Sequence, residues 1–290
     1  MTENLKAEYG SDVLVDLLKA LDVEYVALNP GASFRELHDS IVNYGGNKKP
    51  EIILCPHEEI AIDIAHGYNK AAARPMLALV HNVIGLLHAT MAIYNAWVDR
   101  APLVVLGATG PLAIEEKRPW IDWIHTSADQ GTAVRNFVKW DDLAISLPSA
   151  IDSLLRGFQL AQTEPKGPVY ICLDVGLQKE KLRQPVALPD IKRYAPSSPV
   201  QGDPAALKAA ASLLVEAKHP VVVADYLSRN PAAVGALVEL AELLSLPVLD
   251  RGNMFSFPNT HPLDLTGAEN ELLGQADVVL ALDVFDLCQA

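Results

Sequence analysis

Apolar residues recur along the chain with two alternating spacings. Between Ser11 and Ala20, Val13, Leu14, Leu17 and Leu18 fall on one face, the spacing of a helix. Val23–Leu28 is short and rich in β-formers, and it ends at the turn signal Asn29-Pro30-Gly31. Phe34–Val42 returns to helical spacing. Glu51–Cys55 reads as a buried strand. Glu58–Ala73 reads as an amphipathic helix with Ile60, Ala61, Ile64, Ala65 and Tyr68 facing inward. The alternation continues through strand Met76–His81, helix Leu86–Trp97 and strand Leu103–Gly107. Helix Ala150–Gln162 follows, with Leu154, Leu155, Phe158 and Ala161 on one face, and then strand Pro168–Leu173. Near-continuous apolar strands joined by helices predict an α/β fold, a doubly wound parallel sheet covered by helices on both faces.

The pattern then changes. Arg183–Asp203 holds many prolines and few periodic apolar positions, which suits a linker. Alternation restarts with helix Pro204–Ala217, strand Pro220–Ala224, helix Ala232–Leu244, and strands Pro247–Leu249 and Asp277–Leu282. The expected organisation is a first domain over 1–185, a linker over 186–203 and a second α/β domain over 204–290. That second domain is short of the closing helix and strands such a sheet normally has, so it reads as truncated.

Composition narrows the function. The 290 residues are 50% hydrophobic and 20% charged, ordinary for a globular chain. A formal net charge of -13 argues against a nucleic-acid partner, because no basic stripe is present to displace phosphate counterions. Cys55, Cys172 and Cys288 lie in or beside apolar strand-like runs without CxxC neighbours, so buried reduced thiols are expected. The N-terminus has no signal-peptide core, and no run of about 20 apolar residues exists to span a membrane. A cytoplasmic location is the expectation.

Several common sites are excluded. No GxGxxG follows a strand, and no GxxxxGK[ST] or GxSxG is present. His57-Glu58 begins like the HExxH zinc motif, but Ala61 stands at the second ligand position. Gly107-Ala108-Thr109-Gly110 reads as a strand-exit loop, or as an anion site at a helix N-terminus.

The informative stretch is Glu51–Ala73. A strand ends at Cys55, Pro56 breaks it, and a carboxylate pair opens a helix. Position 58 therefore falls at the C-terminal edge of a parallel sheet, where open α/β folds place ligands. Two readings of Glu58 stay open on pattern alone: a ligand-facing acid, or an acid favouring the helix macrodipole.

The segment His57-Glu58, with Gly67-Tyr68 further along, resembles the glutamate segment of thiamine-diphosphate enzymes of the acetolactate synthase and benzoylformate decarboxylase type. Val26–Gly31 is similar to that family's first strand and NPG turn. His81–Trp97 resembles the segment after its third strand, with His88 where asparagine is usual. Ser127–Gln130 matches the region where acetolactate synthases carry DAFQ. The resemblance implies that residues 1–185 form the pyrimidine-binding domain and that the rest begins the middle domain.

It also implies roles. Glu58 would hydrogen-bond the aminopyrimidine of thiamine diphosphate, whose thiazolium serves as the electron sink for decarboxylating a 2-oxo acid. His81 matches the acid/base histidine of benzoylformate decarboxylase. Asn29, Pro30, Gly31, Gly85 and His88 would line the cofactor. Ala32, where that enzyme has serine, and Gln130 would face substrate. Simpler roles stay open: His81 satisfied by a backbone group, His88 by packing, Gln130 by capping a loop. Trp97, Trp120, Trp123 and Trp140 read as core or subunit-contact residues, and His125 as part of a Trp-rich loop.

The family's diphosphate and Mg²⁺ are held by a GDG motif in a third domain, and no GDG occurs here. The expectation is a half-site, inactive without the missing domain. It would work as a homodimer or homotetramer, or with a partner chain carrying that domain, and FAD binding is left open. The leading reading is an acetolactate-synthase-like decarboxylase/carboligase. The alternatives are a benzoylformate-type aromatic decarboxylase and a non-catalytic remnant or regulatory subunit.

Overall fold

The computed structural model describes residues 6–287, which fall into two units dividing between Pro199 and Val200. Cys288 lies outside the described residues.

The first unit is built on six parallel strands: β1 (Tyr25–Leu28), β2 (Glu51–Leu54), β3 (Leu77–Leu79), β4 (Val104–Thr109), β5 (Asp141–Ala144) and β6 (Val169–Asp174). Their order is β2-β1-β3-β4-β6-β5. The helices are α1 (Gly10–Ala20), α2 (Arg35–Asp39), α3 (Glu58–Ala72), α4 (Val83–Val98), α5 (Ile121–Ile124), α6 (Leu147–Gln162) and α7 (Val175–Lys179).

Strand side chains alternate between faces, and the core splits accordingly. Val26, Leu28, Leu77, Leu79, Val104 and Leu106 pack with α1 and α6. Ala27, Ala78, Val80, Val105, Tyr170 and Cys172 pack against α3 and α4 on the other face. Helices therefore cover both faces, as the apolar strands require. At β4, Gly107 is demanded by close approach: a Cβ there would fall 1.9 Å from the Tyr170 hydroxyl.

Some details differ from the sequence reading. The Glu51–Leu54 strand is not buried. It is the sheet edge, and Leu54 is 68% exposed. In α3 the buried apolar positions are Ala61, Ile62 and Ala65, while Ile60 points outward. The anion-site reading of Gly107–Gly110 fails because β4 runs through Thr109 and no helix opens there. Trp97, Trp120 and Trp123 are exposed, which removes the core half of the core-or-subunit-contact reading for them. Cys55 and Cys172 are buried free thiols, and burial pushes the Cys172 thiol up to about 12. After α7, Leu182, Leu188, Ile191 and Tyr194 pack on the α1–α6 side of the core. Gln159 fastens the same segment, donating from Nε2 to the Ala195 carbonyl.

The second unit has three parallel strands, β7 (Pro220–Ala224), β8 (Val248–Asp250) and β9 (Val278–Leu282), in the order β8-β7-β9. Its helices are α8 (Pro204–Glu216), α9 (Pro231–Leu244) and α10 (Glu269–Gln275). Phe257, Leu237 and Leu246 fill one side of this sheet.

Candidate cofactor site

The C-terminal ends of β1, β2 and β3 bring three segments together. The first is the turn after β1. Gly31 starts a short 3-10 turn that buries Ser33 and Phe34, and Ala32 is exposed. The approach is tight, because a Cβ on Gly31 would come within 2.6 Å of the His81 ring.

The second segment is the start of α3. His57 caps the helix, its Nδ1 accepting from the Glu59 amide at 3.2 Å. Glu58, the first helical residue, is only 5% exposed. Glu59, beside it, is not buried.

The third is the β3–α4 connection. Asn82 caps α4 by accepting from the Ile84 amide, which starts the helix earlier than the apolar pattern suggests. Gly85 then sits directly against Glu58: a Cβ there would lie 2.7 Å from Glu58 Oε1 and 2.9 Å from His81 Cβ. One turn further, His88 places Nδ1 3.3 Å from Glu58 Oε2 and stacks on His57 at 5.0 Å between ring centroids.

His81 is half-buried. Its Nδ1 lies 2.8 Å from the Ser33 hydroxyl, and its ring meets His125 edge-on at 6.0 Å. Burial holds its pKa below the ordinary histidine value. The nearby His125 lowers it further, while Glu58 pulls it upward. His125 comes from a loop staked down by Asp122, which accepts from the Arg118 amide and guanidinium.

Glu58, His81, Gly31, Gly85 and His88 thus form one cluster. Gln130 stands elsewhere. It is buried, donates from Nε2 to the Tyr170 hydroxyl at 2.7 Å, and lines a cavity of about 260 Å³ with Thr109, Ser127 and Cys172. Neither Glu58 nor His81 lines that cavity.

Two neighbours escaped the sequence reading. Ser33, one residue past the position compared with the benzoylformate decarboxylase serine, supplies the hydroxyl that holds His81. His57, dismissed with the zinc motif, is the helix cap and stacks on His88.

A doubly wound α/β domain with one buried carboxylate against a glycine at the sheet's C-terminal edge has the layout in which open α/β folds place their ligands. The comparisons place it further. Residues 9–132 match the N-terminal TPP binding domain of thiamine pyrophosphate enzymes, and residues 207–284 match their central domain. The chain belongs to the thiamine pyrophosphate enzymes.

It is 24% identical to the acetolactate synthase large subunit of Haemophilus influenzae, over 97% of this chain and 49% of that protein. It is 28% identical to a probable 2-ketoarginine decarboxylase of Pseudomonas aeruginosa, over 94% of this chain and 48% of that protein. The structure of benzoylformate decarboxylase from Polynucleobacter necessarius shares the fold, with a TM-score of 0.80 and 22% identity over 95% of this chain and 51% of that one. The chain spans about half the length of the curated relatives it matches.

Proposed function

We propose that this chain supplies the aminopyrimidine half of the active site of a thiamine-diphosphate-dependent enzyme that decarboxylates a 2-oxo acid and passes the product to a second carbonyl compound. The observation that carries this reading is the buried Glu58 carboxylate facing Gly85, where a side chain would close the space.

The residues present fit that end of the cofactor. A carboxylate withdrawn from water makes a strong hydrogen bond to a ring nitrogen. Gly85 leaves backbone rather than a side chain against that carboxylate. When bound, thiamine diphosphate supplies the electron sink for losing CO₂ from a 2-oxo acid. Glu58 holds and orients the aminopyrimidine and moves a proton at its ring nitrogen. Glu58 is only 5% exposed, so little water competes for its carboxylate. We assign the diphosphate and its Mg²⁺ to protein outside these two domains, either more of the same polypeptide or a partner chain.

A second reading rests on a specific contact. The Ser33–His81 pair fixes one ring nitrogen of a histidine beside Glu58 and leaves the other for proton exchange with substrate. This supports a benzoylformate-type decarboxylase acting on an aromatic 2-oxo acid. Turnover of an aromatic acid without an acceptor would favour it over carboligation.

The decisive test is Glu58→Gln in the complete enzyme. The expected loss in turnover is on the order of 10²-fold or more, as for other acid/base groups. Turnover within a few-fold of wild type would remove Glu58 from the mechanism. An inactive complete enzyme that binds no thiamine diphosphate would favour the remnant reading.

A further inference from the structure

The His57-Glu58 pair fails the zinc-protease pattern in sequence because Ala61 stands where the second histidine is needed. The fold brings that histidine from another helix. His57, Glu58 and His88 each place one potential ligand atom within 4.8 Å of the others. We propose that these three residues form a transition-metal site, with Zn²⁺ the ion it fits, and that an ion bound there excludes the cofactor. The exclusion rests on the reading of Glu58 given above; the metal site does not.

The donor set makes the choice of ion. Two imidazoles and one carboxylate suit Zn²⁺, whereas Mg²⁺ favours oxygen ligands throughout. Spacing agrees. Ligands sharing a tetrahedral Zn²⁺ at bonds of about 2.0–2.1 Å stand roughly 3.3 Å apart, and His88 Nδ1 is already 3.3 Å from Glu58 Oε2. The His88 side chain is 53% exposed, so it is free to turn from stacking on His57 toward a shared ion. That exposed side leaves the fourth position open to water.

Two features keep such a site reversible. A neutral imidazole has one nitrogen lone pair, and that of His57 caps α3 through the Glu59 amide. Ligation takes it away from the cap. The positive end of α3 also opposes a cation, which the carboxylates of Glu58 and Glu59 offset. The site is therefore inhibitory in character. Glu58 can face an ion or the aminopyrimidine, not both.

The test is calorimetric titration of the 290-residue chain with Zn²⁺, without thiamine diphosphate. Co²⁺ serves as a substitute whose visible absorption reports its coordination. One ion per chain is expected, with the Co²⁺ bands of a four-coordinate site. His57→Asn removes a ligand but keeps a capping acceptor, so the helix start survives. His88→Asn acts at an exposed position. Each is expected to weaken Zn²⁺ binding at least about tenfold, while His261→Asn in the second unit does not. Absence of binding, or retained affinity in either of the first two variants, would overturn the site. In the complete enzyme, rising Zn²⁺ should lower the apparent affinity for thiamine diphosphate, and simultaneous binding of both would overturn the exclusion. If Zn²⁺ binds through His57 and His88 while Glu58→Gln turns over normally, the metal site stands and the cofactor reading falls.

Discussion

Gly85 and Glu58, on neighbouring helices, approach so closely that one added carbon at position 85 would sit 2.7 Å from the Glu58 carboxylate. The same carbon would lie 2.9 Å from His81 Cβ. Gly85→Ala should therefore displace the two groups that define the site while improving the helix propensity of α4. The expected outcome is a cut in turnover of the complete enzyme on the order of 10²-fold, the scale of an ångström-sized misplacement. The melting temperature should change little. Full activity in Gly85→Ala would show that the carboxylate has slack the structure does not display.

Ser33→Ala removes the hydroxyl beside His81 Nδ1. The hydrogen bond from the Gln178 side-chain amide, Nε2, to the Ser33 carbonyl remains, so the turn after β1 should hold. A loss of about 1 kcal/mol in urea unfolding is expected, the net worth of one intramolecular hydrogen bond. The nitrogen chemical shifts of His81 should report a change in its tautomer balance. Unchanged shifts would mean the two side chains do not interact in solution.

His81 also sets a direction for pH dependence. Its folded pKa lies below the ordinary histidine value of 6.5, chiefly through burial. The unfolded chain therefore binds more protons than the folded one just below pH 6.5. The contribution to stability is complete above that pH and is lost as pH falls through the depressed folded pKa. Replacing His81 with asparagine should flatten this part of the acid limb in a series of urea titrations. An unchanged slope would place the effect on another group.

At the sheet centre, Gly107→Ala should be costly. The added Cβ would meet the Tyr170 hydroxyl at 1.9 Å, and Tyr170 is fully buried and bonded to Gln130. Overpacking of this kind costs about 1–3 kcal/mol. The double variant Gly107→Ala with Tyr170→Phe should recover part of the loss by vacating the hydroxyl's space. If the single variant unfolds at the wild-type denaturant concentration, the strands have more room than the structure gives them.

The sheet-and-helix order was readable because α1 and α6 carry strict apolar stripes and the central strands are continuous apolar runs. Strand β5 was not readable. Its Asp141 and Asp142 look like loop residues, yet Arg135 and Ser153 bind their carboxylates and let the backbone pair with β6. The edge position of β2 also escaped, because Ile52 and Ile53 look the same in sequence whether one neighbour strand or two exists. At the candidate site, Glu58 stood out by its place at the strand-to-helix junction, and His81 only through the family resemblance. The meeting of His88 with Glu58 was not, since it depends on how α3 packs against α4 across 30 residues of chain. Ser33 was not legible either, because its contact with His81 joins residues 48 apart in sequence.

The β8-β7-β9 sheet bears on how the chain behaves at high concentration. Residues 263–265 run along β8 and take up its outer hydrogen-bonding groups, with the Leu265 amide donating to the Val248 carbonyl. Among the described residues no strand does the same for β9, whose Val279 is 47% exposed. An apolar strand with a free edge is a template for another chain's backbone. Self-association of the isolated chain should therefore begin at β9, and a lysine at position 279 should suppress it without disturbing the first unit.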